Sequence, residues 1–226
     1  MRATSLLLAS MLLTAPLAVS AQVYAPAPGS ASARVLAALG AVASNHRSGR
    51  YTHDTRIDLR AGRYEWDCSA MAAYVLRRSA PQTIRDIANH RPVAVDFYRA
   101  IRRSPATVNR GAWMRVARVA DARPGDVFAW QRPRWFPSRN TGHVGFVVGM
   151  PQRVAQGVLL RIADATSVGH DDDGRDGVTR TGFGYGTLLI TTDPATGGGT
   201  AYGWVGARTP EAWMVPTEVV IGRPLR

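Results

Sequence analysis

The chain has 226 residues, a net charge of +12 and a single cysteine. One cysteine excludes an intramolecular disulfide framework, and the length suits one domain with a substantial core. All 28 basic residues are arginine, and they are scattered rather than interleaved with aromatics, which argues against a nucleic-acid platform.

The positive surplus predicts attraction to polyanions: acidic wall polymers, anionic lipid headgroups or nucleic acid. A lysine-free, arginine-rich composition is equally what a GC-rich genome encodes, so charge alone does not identify a partner.

Residues 1–21 have the three parts of a secretory signal: Arg2, an apolar stretch over Leu6–Leu13, and a small-residue exit at Val19-Ser20-Ala21. Cleavage after Ala21 is expected, giving a periplasmic or secreted product. Pro16 interrupts the apolar run and no stop-transfer pattern follows, so no lasting membrane span is expected. Residues 22–33 read as a mobile Ala/Pro/Ser leader, and 34–226 as a single domain.

A helix follows, with Val35, Leu36, Leu39 and Val42 on one stripe, ended by Asn45 or Gly49. "RYTHDTRIDLRAGRY" reads as a loop or short strands. Asp67 or Ser69 can cap the next helix, whose apolar face uses Met71, Tyr74 and Val75, and which Pro81 ends. A further helix is predicted over Val93–Arg103. The period then changes: "WMRVARV" alternates as a strand, "ARPGD" turns, and "VFAW" is a short buried strand. "GHVGFVVGM" and "GVLLRIADAT" read as antiparallel strands, and "GTLLITT" and "AYGWVGA" as another pair. Helices followed by an antiparallel sheet predict an α+β fold, with N-terminal helices packed on a C-terminal sheet.

Cys68 lies at a predicted helix start, where unpaired N–H groups and the helix dipole favour a thiolate and supply oxyanion donors. Among the five histidines, His143 is the best base, because it opens a buried strand after the polar loop "PSRNTG". His46, His53 and His90 fall in helix ends or loops, and His170, beside "DDDG", reads as a surface residue. Asp164 falls on the strand expected beside His143 and can orient the imidazole; the alternative is an aspartate capping a turn with Thr166 or Ser167. "DDDGRDG" lacks the alternating ligands and closing glutamate of a calcium loop, and reads as a polar hairpin tip. His46 and His53 lack zinc spacing, so no metal or other cofactor is expected.

"DCSAM", "RPGDVFAW" and "GHVGFVVG" resemble the Asp-Cys-Ser, Pro-Gly-Asp and Gly-His-Val-Gly blocks of the NlpC-like cell-wall cysteine peptidases, across roughly residues 60–170. The resemblance implies a papain-like fold, with Cys68 as nucleophile, His143 as base and Asp164 in the orienting position. An acid there is similar to the related CHAP amidases, whereas NlpC-like members often use histidine, so the subfamily stays open. Ala70 stands where the family usually has glycine. The family's Pro-Tyr and Gly-Gly segment before the cysteine is missing here, and Tyr51 or Tyr64 is the candidate to replace its tyrosine in the oxyanion site, with Ser69 beside the nucleophile. The tail from about 175 is unassigned by the resemblance.

The implied activity is an exported, monomeric cysteine hydrolase cleaving amide bonds in peptidoglycan peptides. The alternatives are the same chemistry on a non-wall amide or thioester, and a degenerate wall-binding scaffold.

Overall fold

The computed structural model describes residues 24–107, 111–175 and 181–226. The expected signal segment and the cleavage after Ala21 lie outside the described residues. Helix α1 (Ala31–Asn45) starts at the Ser30 cap, whose hydroxyl accepts the Ala33 N–H, and buries Val35, Leu39 and Val42. A small sheet of β1 (Ser48–Tyr51), β2 (Arg56–Asp58) and β3 (Arg63–Trp66) follows, with β3 central. It leads into α2 (Cys68–Ser79), the short α3 (Pro81–Arg85) and α4 (Ala94–Arg103).

The rest of the chain is β4 (Trp113–Val116), β5 (Val127–Gln131), β6 (Gly142–Val147), β7 (Gln152–Val154), β8 (Gly157–Thr166), β9 (Gly182–Thr192), β10 (Gly199–Gly203) and β11 (Val215–Pro224). The order β10-β9-β8-β6-β5-β11 is antiparallel throughout, and β10 also pairs with β11. Six strands therefore close into a barrel. β4 extends from β11 and β7 from β8.

Closure corrects the expected papain-like α+β fold of helices on an antiparallel sheet. The strands that close the ring, β9, β10 and β11, come from the tail that the resemblance left unassigned. β11 is long enough to pair with β4, β5 and β10 at once. A register shift between Gly199 and Ala201 in both ladders of β10 supplies the sharp turn at the corner.

Two cores result, one on each face of the barrel wall. Along β5, Val127 and Ala129 point outward to α2 and α4, joining Val75, Leu76, Phe97 and Ile101. Phe128 and Trp130 point inward, joining Leu160, Ile162, Leu188 and Ile190. A strand with a period of two and both faces covered is apolar at every step, which is why "VFAW" shows no polar alternation. Among the described residues no helix is long and apolar enough to cross a membrane.

Candidate active site

The β6–β8 ladder pairs Phe146 with Ala163 and Val147 with Ile162, then parts toward the mouth of the barrel. Into this opening α2 delivers its first residue. Asp67 caps α2 by accepting the Ala70 N–H and the Ser69 hydroxyl, each at 2.8 Å, and its second oxygen meets His53 Nδ1 at 3.0 Å. Cys68 is thereby buried against β6, with the backbone N–H groups of Val144 and Ser69 lying against its sulfur.

The expected lowering of the thiol pKa is not what this environment produces. Burial and the Asp67 carboxylate, with a smaller contribution from Asp164, push the thiol up to about 12 against the opposing N–H groups of Val144 and Ser69. Cys68 rests as a thiol. It shares no hydrogen bond with His143.

His143 and Asp164 are brought together: Nε2 lies 2.7 Å from Asp164 Oδ2, with both side chains buried. Gly142 makes this placement possible. Its φ is +151°, and a Cβ there would run into the Trp130 carbonyl oxygen across the β5–β6 ladder.

Asp164 is no turn cap. It sits on the inward face of β8 with Leu160 and Ile162, and three basic side chains converge on it. The same Oδ2 meets His170 Nε2 at 3.0 Å, and Arg175 reaches Oδ1. Burial alone would raise its pKa, but His170, His143 and Arg175 outweigh that and hold the carboxyl well below the usual range.

His170 is thus not the surface residue its acidic neighbours suggested, nor is "DDDGR" a solvated tip. Asp173 turns inward to accept from the His170 backbone N–H at 2.9 Å and from Arg175 at 2.9 Å. His170 Nδ1 faces the Trp204 carbonyl at 3.2 Å, while Nε2 faces the ionised Asp164. Both ring nitrogens therefore have an oxygen partner, which fixes the orientation of the ring. In His143 the Asp164 contact takes up Nε2, which leaves Nδ1 as the ring nitrogen that can exchange a proton.

The two candidate tyrosines separate. Tyr64 is in the core, its hydroxyl donating to Asn45 at 2.8 Å and its ring packed on Trp66. Tyr51, at the end of β1, accepts from Asn140 Nδ2 at 3.3 Å and contacts the Cys68 side chain. Burial, with Cys68 and the Asp67 carboxylate beside it, raises its pKa far above the normal tyrosine value, so the hydroxyl stays a donor. Asn140 was not anticipated from the sequence. It is presented by a loop that Arg132 ties down, donating from Nε to the Asn140 carbonyl at 2.8 Å and from Nη1 to that of Phe136 at 2.7 Å.

Two cavities meet along Tyr51, Asn140 and Gly142. One, about 230 Å³, is lined by Asp67, Cys68, Ser69 and Arg139. The other, about 260 Å³, is lined by His143, Thr166, Tyr202 and Trp204. A larger cavity, about 650 Å³ between Arg34, Gln82, Arg85 and Leu225, is lined by no nucleophile or buried base. Among the described residues no cluster of three His, Cys, Asp or Glu side chains could hold a metal ion. Comparison with known protein families, characterised proteins and solved structures gave no match.

Proposed function

We propose that this protein is an exported cysteine hydrolase that cleaves amide bonds in peptidoglycan peptides. The observation that carries the reading is the buried His143–Asp164 contact at 2.7 Å, beside a cavity lined by the chain's only cysteine at a helix start. Export rests on the signal-like residues 1–21, and the wall substrate on the resemblance of the "DCSAM", "RPGD" and "GHVG" blocks together with the net charge of +12.

The resting thiol sets the order of events. With substrate bound, the Cys68 proton passes to His143 Nδ1 as the sulfur attacks the carbonyl carbon, and the ring held by Asp164 becomes an imidazolium. The Tyr51 hydroxyl and the Cys68 backbone N–H at the start of α2 are the donors for the oxyanion. As the C–N bond breaks, His143 returns its proton to the leaving amine, and a thioester remains on Cys68. Water deprotonated by His143 then cleaves the thioester, releasing the acid and restoring the thiol.

The test is to incubate the wild-type protein and Cys68→Ala with muropeptides and follow products by mass spectrometry. Product from the wild type alone is expected; equal product from both would overturn the reading. A second reading, a wall-binding scaffold without turnover, is favoured by one observation: a protonated thiol with no hydrogen bond to the imidazole. It would be supported by sedimentation with wall sacculi that survives Cys68→Ala, combined with no product from either protein.

A further inference from the structure

We infer that the cavity along the outer flank of α2 seats a carboxylate carried on the acyl side of the substrate, two to three residues from the scissile bond. The inference rests on the hydrolase reading above and names the substrate chemistry of that same site. This cavity, about 430 Å³, shares His53, Asp67, Ser69 and Val93 with the one that holds Cys68. A chain leaving the nucleophile along α2 enters it directly.

The lining divides by chemistry. Ile57, Ala70, Ala73 and Pro92 make an apolar floor, while Arg77 and Arg91 stand toward the end of α2 farther from Cys68. Arg77 donates from Nη2 to the His90 carbonyl at 2.7 Å, which fixes its guanidinium beside the neighbouring Arg91. Neither arginine has a carboxylate partner among the described residues. The one acid in the lining, Asp67, is already engaged by the helix cap, the Ser69 hydroxyl and His53.

Solvated arginines are ordinary on a chain of this charge. What sets this pair apart is a wall shared with the nucleophile and a floor of small apolar side chains that leaves room for backbone. A carboxylate is the group that a fixed guanidinium recognises by charge-assisted hydrogen bonds.

The helix supplies the ruler. Arg77 lies nine residues beyond Cys68 on α2, about 13 Å of helical rise, and its side chain leans back toward the helix N-terminus. That lean covers about one turn, about 5 Å, and the remaining distance of about 8 Å, at about 3.3 Å per extended residue, places the carboxylate two to three residues from the attacked carbonyl. Across the site, the cavity of Tyr202, Trp204 and His143 is left for the leaving amine.

The experiment uses Cys68→Ala protein, so that no turnover enters it, and two probes: N-acetyl-Glu-Ala-Ala amide and its Gln counterpart. Binding is read from the amide NMR shifts of Ala70 and Ala73. The Glu peptide is expected to bind roughly fivefold more tightly, as two partly exposed ion pairs would give. Adding Arg77→Gln and Arg91→Gln should erase the preference without lowering the melting temperature; Arg91→Gln alone, an exposed change, should reduce it if the double change perturbs folding. Equal affinity for the two peptides, no response at Ala70 and Ala73, or a preference that survives the arginine changes would overturn the inference. A wild type that hydrolyses muropeptides without charge preference overturns this inference alone. A charge preference in a protein without turnover overturns the hydrolase reading alone.

Discussion

At Cys68 two electrostatic influences oppose each other. The helix start and the Val144 N–H favour a thiolate; burial and the Asp67 carboxylate oppose it and prevail, with the thiol pushed up to about 12. Iodoacetamide alkylation should therefore keep accelerating through about pH 10, where an unperturbed thiol of pKa about 8.5 has levelled off. Asp67→Asn separates the cap from the charge, since asparagine caps a helix about as well as aspartate. The variant should keep its melting temperature and alkylate several-fold faster at about pH 9. Equal rates would show that the Asp67 charge does not reach the sulfur. Asp164 presents the opposite case, an ionised carboxyl on which His143, His170 and Arg175 depend. Its folded pKa lies below the unfolded value of about 3.9. Its contribution to stability is thus complete above that value and fades as pH falls through the folded pKa. Asp164→Asn leaves buried positive charge without its counter-ion, and should cost about 3–5 kcal/mol in urea unfolding at neutral pH. Its stability should also vary less with pH below about 4 than that of the wild type. An unchanged neutral-pH stability would mean that the three bases do not rely on this carboxylate.

At the scale of elements, the site is assembled from ends: the start of α2, the start of β6, the close of β8 and the tip of β1. The start of α2 was legible because a capping aspartate, a cysteine and an apolar stripe are local signals. His143 was legible as a polar residue heading a buried strand. The partners of Asp164 were not, because "HDDDGR" carries the composition of a solvated turn, and only the return of β9 beside β8 encloses it. Tyr51 and Tyr64 are each near the end of a short strand, so local pattern could not say which reaches Cys68. Gly142 shows how tightly the start of β6 is specified. Gly142→Ala forces a side chain into an unfavourable φ and against the Trp130 carbonyl, at a cost of about 1–3 kcal/mol. In a domain of this size that corresponds to a melting temperature lower by at least about 2 °C. His143 should be displaced with it, so turnover should fall more than stability predicts. Retained melting temperature and turnover would show that β6 shifts to admit the methyl.

The whole molecule depends on pairings that no local window contains. The apolar run "VFAW" pointed to a buried strand, yet whether the sheet around it stays open or closes is decided by its last strand. β11 sits between β5 and β10 and also carries β4, while Val219 and Ile221 fill the barrel interior and Val220 joins the outer core. Removing it would leave β5 and β10 as unpaired edges and open both cores to water. A protein ending before Val215 should lose near-UV dichroism and the cooperative urea transition, rather than behave as a domain that has shed an appendage. The contrasting result is equally plain: a cooperative transition of undiminished midpoint, with Cys68 still shielded from alkylation at neutral pH. That would mean the helices and β5, β6 and β8 suffice to hold the site, and that closure by β11 is accessory to it.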